Sequence, residues 1–152
     1  MFDLQPVVFM KIFDDVKRKL KKEDKIAIKS AFEELKTNGK DEKLKSTLSI
    51  VTSKIERLEN SDDLYKNTLA WLTKAFTAAV LRGDNTNERL RSLAIIAIAY
   101  LCDPYDVIPD SDPEDGYLDD LYIFYLVLTE IKSECPKTHA NICNTYYEIS
   151  CG

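Results

Sequence analysis

The sequence predicts an all-α fold: a single domain of six or seven helices around a central antiparallel helical hairpin. Three observations carry the prediction. Apolar residues recur at steps of three and four along almost the whole chain, which is the spacing of one helical face. Two runs, Leu93–Leu101 and Leu121–Leu128, are apolar on nearly every side, as helices at the centre of a fold are. Only four glycines and five prolines punctuate 152 residues, and no stretch of useful length alternates with the period of two that a half-buried strand needs.

Each element has its own signal. Val8, Phe9, Ile12, Phe13, Val16 and Leu20 share one face behind Pro6, which suits a first helical turn. Ile28, Ala31, Phe32 and Leu35 mark a second helix that Thr37, Asn38 and Gly39 end. Leu44, Leu48, Val51, Ile55 and Leu58 step by four and three, a narrow seam whose charged flanks place that helix on the outside. Ser61 or Asp62 is the expected cap of a fourth helix carrying Leu64, Leu69, Leu72, Phe76 and Val80, with Gly83 after its end. Asn85 or Thr86 opens a fifth, stopped by Pro104, because the residue before a proline is pushed out of the helical region. Helix resumes at Tyr117, and a last one follows Pro136 to about Ile149. The chain reads as one domain, with N-terminal helices over 1–85 and the hairpin plus a C-terminal helix over 86–152.

Composition narrows the function. A net charge of −5 disfavours general nucleic-acid binding, which needs cations against phosphates. The charge is uneven: residues 1–60 carry +3 and residues 61–152 carry −8. No run approaches the roughly 18 apolar residues of a membrane span. The early acid Asp3 and the absence of a cationic leader disfavour a secretory signal, and four cysteines then read as reduced thiols in a cytoplasmic protein.

The segment between the two apolar runs is the most distinctive. Eight acids fall between Asp103 and Asp120 with no cation among them, and Pro104, Pro109 and Pro113 stiffen the stretch. Asp106, Asp110, Asp119 and Asp120 are the oxygen donors that a hard cation such as Mg²⁺ or Ca²⁺ would take. An EF-hand register fails, since Asp115 stands where glycine belongs and Leu121 where the bidentate glutamate belongs. The structural reading is simpler. Asp106 and Asp110 accept backbone N–H bonds in turns, and Asp119 and Asp120 occupy a helix's first turn, where negative charge is favoured. Asp112, Glu114 and Asp115 have no structural duty in that reading and form a surface for a partner that presents Lys or Arg.

The residues around this segment resemble a known family. Tyr100, Leu101, Pro104, Asp106, Ile108, Pro109 and Asp110, followed by Gly116, Tyr117, Leu118, Asp119 and Asp120, are similar to the signature of the YkvA-like domain of unknown function. The resemblance covers about residues 88–130. It implies a helical hairpin and no established activity, and it supplies no catalytic residue. One departure is plain: the family's spacer before the glycine tends to be apolar, whereas Ser111, Asp112, Pro113, Glu114 and Asp115 fill it here. Such a spacer could not enter a membrane or an apolar groove without a large desolvation cost.

Other constellations weigh less. Cys135, His139 and Cys143 repeat every four residues, so either neighbouring pair could chelate Zn²⁺ with ligands from elsewhere, Cys102 among them. All three on one helix span about 12 Å at 1.5 Å per residue, too far for one tetrahedral ion. Core packing is the expected role of these residues. Cys–His catalysis would need an exposed, low-pKa thiol. Lys17, Arg18, Lys19, Lys21 and Lys22 read as a solvated helix end rather than a lipid or RNA site. Tyr117, Tyr122, Phe124 and Tyr125, with Trp71 and Phe76, read as core. The expected function is a non-enzymatic accessory or adaptor protein acting through another protein, with no cofactor and with homo-oligomerisation left open. The alternative is a Mg²⁺- or Ca²⁺-dependent enzyme, a phosphoester hydrolase using residues 103–120.

Overall fold

The computed structural model describes residues 4–38, 50–82, 88–102 and 117–151. Seven α-helices follow one another among them, and they contain no strand. They are α1 (Leu4–Lys19), α2 (Lys22–Asn38), α3 (Val51–Glu59), α4 (Leu64–Phe76), α5 (Glu88–Cys102), α6 (Leu118–Glu134) and α7 (Pro136–Cys151). α4 runs on into one π-helical turn, Thr77–Leu81. Leu44 and Leu48, the first half of the third helix's predicted seam, lie outside the described residues, as do Gly83, Asn85 and Thr86.

Local chemistry explains the boundaries. Asp63 caps α4 by accepting the backbone N–H of Tyr65 at 2.8 Å, and Ser61 Oγ accepts the N–H of Asp63 at 3.0 Å. The expected cap at Ser61 or Asp62 is thus corrected to Asp63. The turn needs an extended residue just before Leu64, and Asp63 has that backbone, φ −84° and ψ 122°. Asn67 ties the same turn together, its Nδ2 lying 3.0 Å from both Leu58 O and Ser61 O. Pro136 opens α7 where its missing N–H costs nothing. α5 ends at Cys102, two residues before Pro104.

α6 is the centre of the fold. Helices α1, α2, α4, α5 and α7 all pack on it. Leu118, Leu121, Tyr122, Ile123, Phe124 and Val127 are buried, and together they point all round the helix. α5 is nearly as enclosed, with Leu93, Ala94, Ile98 and Leu101 buried. Each such Leu, Ile or Phe contributes about 1.5–3 kcal/mol on leaving water. Phe76 of α4 meets Phe124 edge to face, with centroids 5.0 Å apart, and joins the shell to the centre.

Polar contacts at both ends fix α5 and α6 as an antiparallel pair. Arg89, at the start of α5, donates from Nε to both carboxylate oxygens of Glu134 near the end of α6, at 2.7 and 2.9 Å. Tyr100, near the end of α5, donates its hydroxyl to Asp119 at the start of α6, at 2.8 Å. The predicted hairpin is therefore present, and the remaining helices surround it. α3 lies on the outside, packing mainly on α4 through Val51, Ile55 and Leu58.

Candidate functional site

The acidic connector leaves α5 after Cys102 and joins α6 at Tyr117. Asp106, Asp110, Asp112, Glu114 and Asp115 lie outside the described residues. Asp119 and Asp120 are in the first turn of α6, as expected from the sequence. Their burial was not expected: the residues are 0% and 1% exposed. A carboxylate taken out of water costs several kcal/mol unless charge and hydrogen bonds compensate. The helix dipole, which favours negative charge at a helix start, offsets part of that cost. The Tyr100 hydroxyl, bonded to Asp119 Oδ2, offsets more. The bond between Tyr100 and Asp119 thus anchors the mouth of the hairpin. Lys54 of α3 and Lys66 of α4 stand over the Tyr117 ring, 5.6 and 5.4 Å from its centroid, and put cations beside the same mouth.

The cysteine–histidine series lies along α7. Cys143 Sγ is 3.9 Å from His139 Nδ1, while Cys135 Sγ is 3.1 Å from Thr138 Oγ1. Cys135 and Cys143 are half-buried and pack against the core, as expected. Burial lowers the His139 pKa, and the nearby Lys132 charge lowers it further. Burial raises the Cys143 thiol despite Lys132. The Cys135 thiol is lowered by hydrogen bonds from the Thr138 side chain and backbone. Among the described residues, no three His, Cys, Asp or Glu side chains converge as metal ligands do.

The basic run at the end of α1 is partly engaged. Lys17 lies over the Tyr125 ring, 4.4 Å from its centroid, and 3.5 Å from Asp14. Arg18 pairs with Asp15, and Lys19 stands over the Tyr65 ring. The aromatic residues divide: Phe76, Tyr122 and Phe124 are buried, whereas Trp71, Tyr117 and Tyr125 are half-buried at the edge of the core.

One cleft passed unnoticed in the sequence. α1 and α2 pack on α6 much more than on each other, and the space between them holds about 610 Å³. Phe32, Tyr122, Tyr125 and Leu126 give it apolar walls, while Lys17, Lys29, Glu33 and Glu130 bring charge to it. The local signal was there: Tyr122, Tyr125 and Thr129 lie one and two turns apart on α6, and Phe32 and Glu33 lie about one turn from Lys29 on α2. Beside the cleft, Lys36 bonds Glu130 and Glu33, and Arg89 reaches Glu130 at 3.3 Å. Burial pulls the Lys36 pKa down, but the bonds to Glu130 and Glu33 outweigh it and the net shift is upward.

Residues 91–126 match the family described as "Protein of unknown function (DUF1232)". The match covers about a quarter of the chain and falls on α5, the connector and the first half of α6. It supports a domain of unknown function at the hairpin, and its description does not carry the YkvA-like name. No curated protein and no solved structure matched the chain. Among the described residues, no helix is long and apolar enough to cross a membrane.

Proposed function

We propose that the protein is a non-enzymatic accessory or adaptor protein that binds another protein through its acidic connector. We read the hairpin as YkvA-like and the setting as cytoplasmic. The observation that carries the proposal is the clamped frame beneath the connector. Arg89 with Glu134 and Tyr100 with Asp119 hold α5 and α6 together at opposite ends. Both roots of the connector are therefore tied to α5 and α6, the two most enclosed helices. A recognition segment with fixed ends and three prolines loses less conformational freedom on binding than a free one. Its partner presents Lys or Arg, and the encounter weakens with salt.

The test reverses Asp112, Glu114 and Asp115 to lysine and compares the proteins recovered with wild type and variant at physiological salt. Loss of a stoichiometric partner in the variant, with the fold unchanged, is the expected result. A partner retained at full level refutes the connector as the interface. The buried carboxylates at the hairpin mouth favour a second reading, a Mg²⁺- or Ca²⁺-dependent phosphoester hydrolase drawing on Asp106, Asp110, Asp119 and Asp120. A rise in melting temperature with either ion, abolished in Asp110→Ala, would select it.

A further inference from the structure

His139 and Cys143 sit on the rim of the buried face of α7. Thr138, Ile142 and Tyr146 are the residues of that helix turned fully into the fold. His139 and Cys143 each follow one of them by one position, which is about 100° further round a helix. Beyond them, Ala140, Asn144 and Tyr147 are exposed. The pair is therefore half-buried, with one side against protein and the other reached by solvent.

Their ligating atoms face each other. Cys143 Sγ lies 3.9 Å from His139 Nδ1. Bonds of zinc length, about 2.3 Å to sulfur and about 2.0 Å to nitrogen, would bridge that 3.9 Å at an angle of about 130°, wider than the tetrahedral angle of about 109°. Shorter bonds open the angle further. A structural zinc site also takes four ligands, and among the described residues no three His, Cys, Asp or Glu side chains converge. Cys135, the next member of the series, is engaged with Thr138 Oγ1 at 3.1 Å. The soft ion that suits thiolate and imidazole, and that is content with two ligands at a wide angle, is Cu(I). Lys132 puts its charge beside both groups. Burial, and then Lys132, keeps His139 neutral, so Nδ1 has a lone pair to offer when the proton is on Nε2. Burial opposes ionisation of Cys143, whereas Lys132 favours the thiolate.

We propose that His139 and Cys143 bind one Cu(I) ion in a two-coordinate site. The Cys143 thiol gives its proton to solvent as the copper–sulfur bond forms. His139 donates the Nδ1 lone pair to form the copper–nitrogen bond, and the copper stays in the +1 state. One thiolate and one imidazole leave the complex without net charge. It therefore suits a rim half out of water, and Lys132 does not repel it.

The experiment titrates the reduced full chain with Cu(I), without oxygen, against the coloured chelator bicinchoninate. A copper X-ray absorption spectrum is then taken of the loaded wild-type protein. The expected result is one equivalent of Cu(I) with one sulfur and one nitrogen neighbour. Cys143→Ser and His139→Gln should each weaken binding at least about tenfold, the least that even an outer-shell partner costs, with the circular dichroism spectrum unchanged. Cys135→Ser and Cys151→Ser, on either side of the pair along α7, should leave it unchanged. Zn²⁺ should be lost on gel filtration. Sulfur-only coordination in the wild-type spectrum, which needs no variant to fold, would overturn the proposal. So would full affinity in His139→Gln, or one equivalent of retained Zn²⁺.

Discussion

Replacing Tyr100 by Phe tests the frame at its most buried polar contact. The substitution keeps the ring, which is 5% exposed, and removes only the hydroxyl that donates to Asp119 at 2.8 Å. A hydrogen bond to a charged group contributes about 1.5–3 kcal/mol. The recipient here is wholly buried, so its loss leaves a carboxylate oxygen without that donor and puts the expected cost in this range. For a protein of this size each kcal/mol moves the melting temperature by about 2–4 °C. Tyr100→Phe should therefore lower it by roughly 3–12 °C in a calorimetric or circular dichroism melt. Asp119→Asn and the double variant complete a cycle, and a coupling of at least about 0.5 kcal/mol is expected for groups in direct contact. A melting temperature within 1 °C of wild type, or a cycle that closes with no coupling, would refute the clamp.

The other predictions are brief. Asp106→Ala and Asp110→Ala should each lower stability by about 0.5–2 kcal/mol, the range for lost capping bonds, while Asp112→Ala and Glu114→Ala change little; denaturant titration decides. Thiol labelling should modify exposed Cys151 first and Cys135 next, with Cys143 slow because burial raises its pKa, and buried Cys102 slowest; a fast Cys102 would contradict the packing. His139 is held below the ordinary imidazole value of about 6.5 by burial and then by Lys132. The unfolded chain therefore takes up the proton first as pH falls. Stability from this group is complete above about 6.5 and is lost as pH drops through the lower folded value. Melts between pH 8 and 5 should show the decline, and His139→Gln should flatten it.

The sequence was most legible where burial repeats with helical period. Ile12, Phe13, Val16 and Leu20 all point inward as their spacing requires, and the two all-apolar runs became the two central helices. The cap of α4 was misplaced by one or two residues because Ser61, Asp62 and Asp63 all have capping side chains, and only backbone geometry selects among them. The cleft was harder to see. Its residues come from three helices, and periodicity assigns each aromatic to a core without showing that α1 and α2 stand apart above α6. The burial of Asp119 and Asp120 was hidden for a related reason. Acids in a first turn are ordinarily solvated, and the partner, Tyr100, lies nineteen positions earlier on the facing helix.

The central placement of α5 and α6 bears on what residues 91–126 can be. Cut out on its own, that stretch would carry Leu93, Ile98, Leu101, Leu121, Ile123 and Phe124 into water on several sides at once. It would also leave behind the whole clamp at the opposite end, Arg89 together with Glu130 and Glu134. The recognisable piece is thus an interior, not a portable module. It has to travel with enough helix to cover it, and the covering helices are free to differ in sequence so long as they present an apolar face. Expression of 91–126 alone should give an aggregating peptide. The boundaries of any working fragment are set by α1 and α7, which close the shell, rather than by the ends of the matched segment.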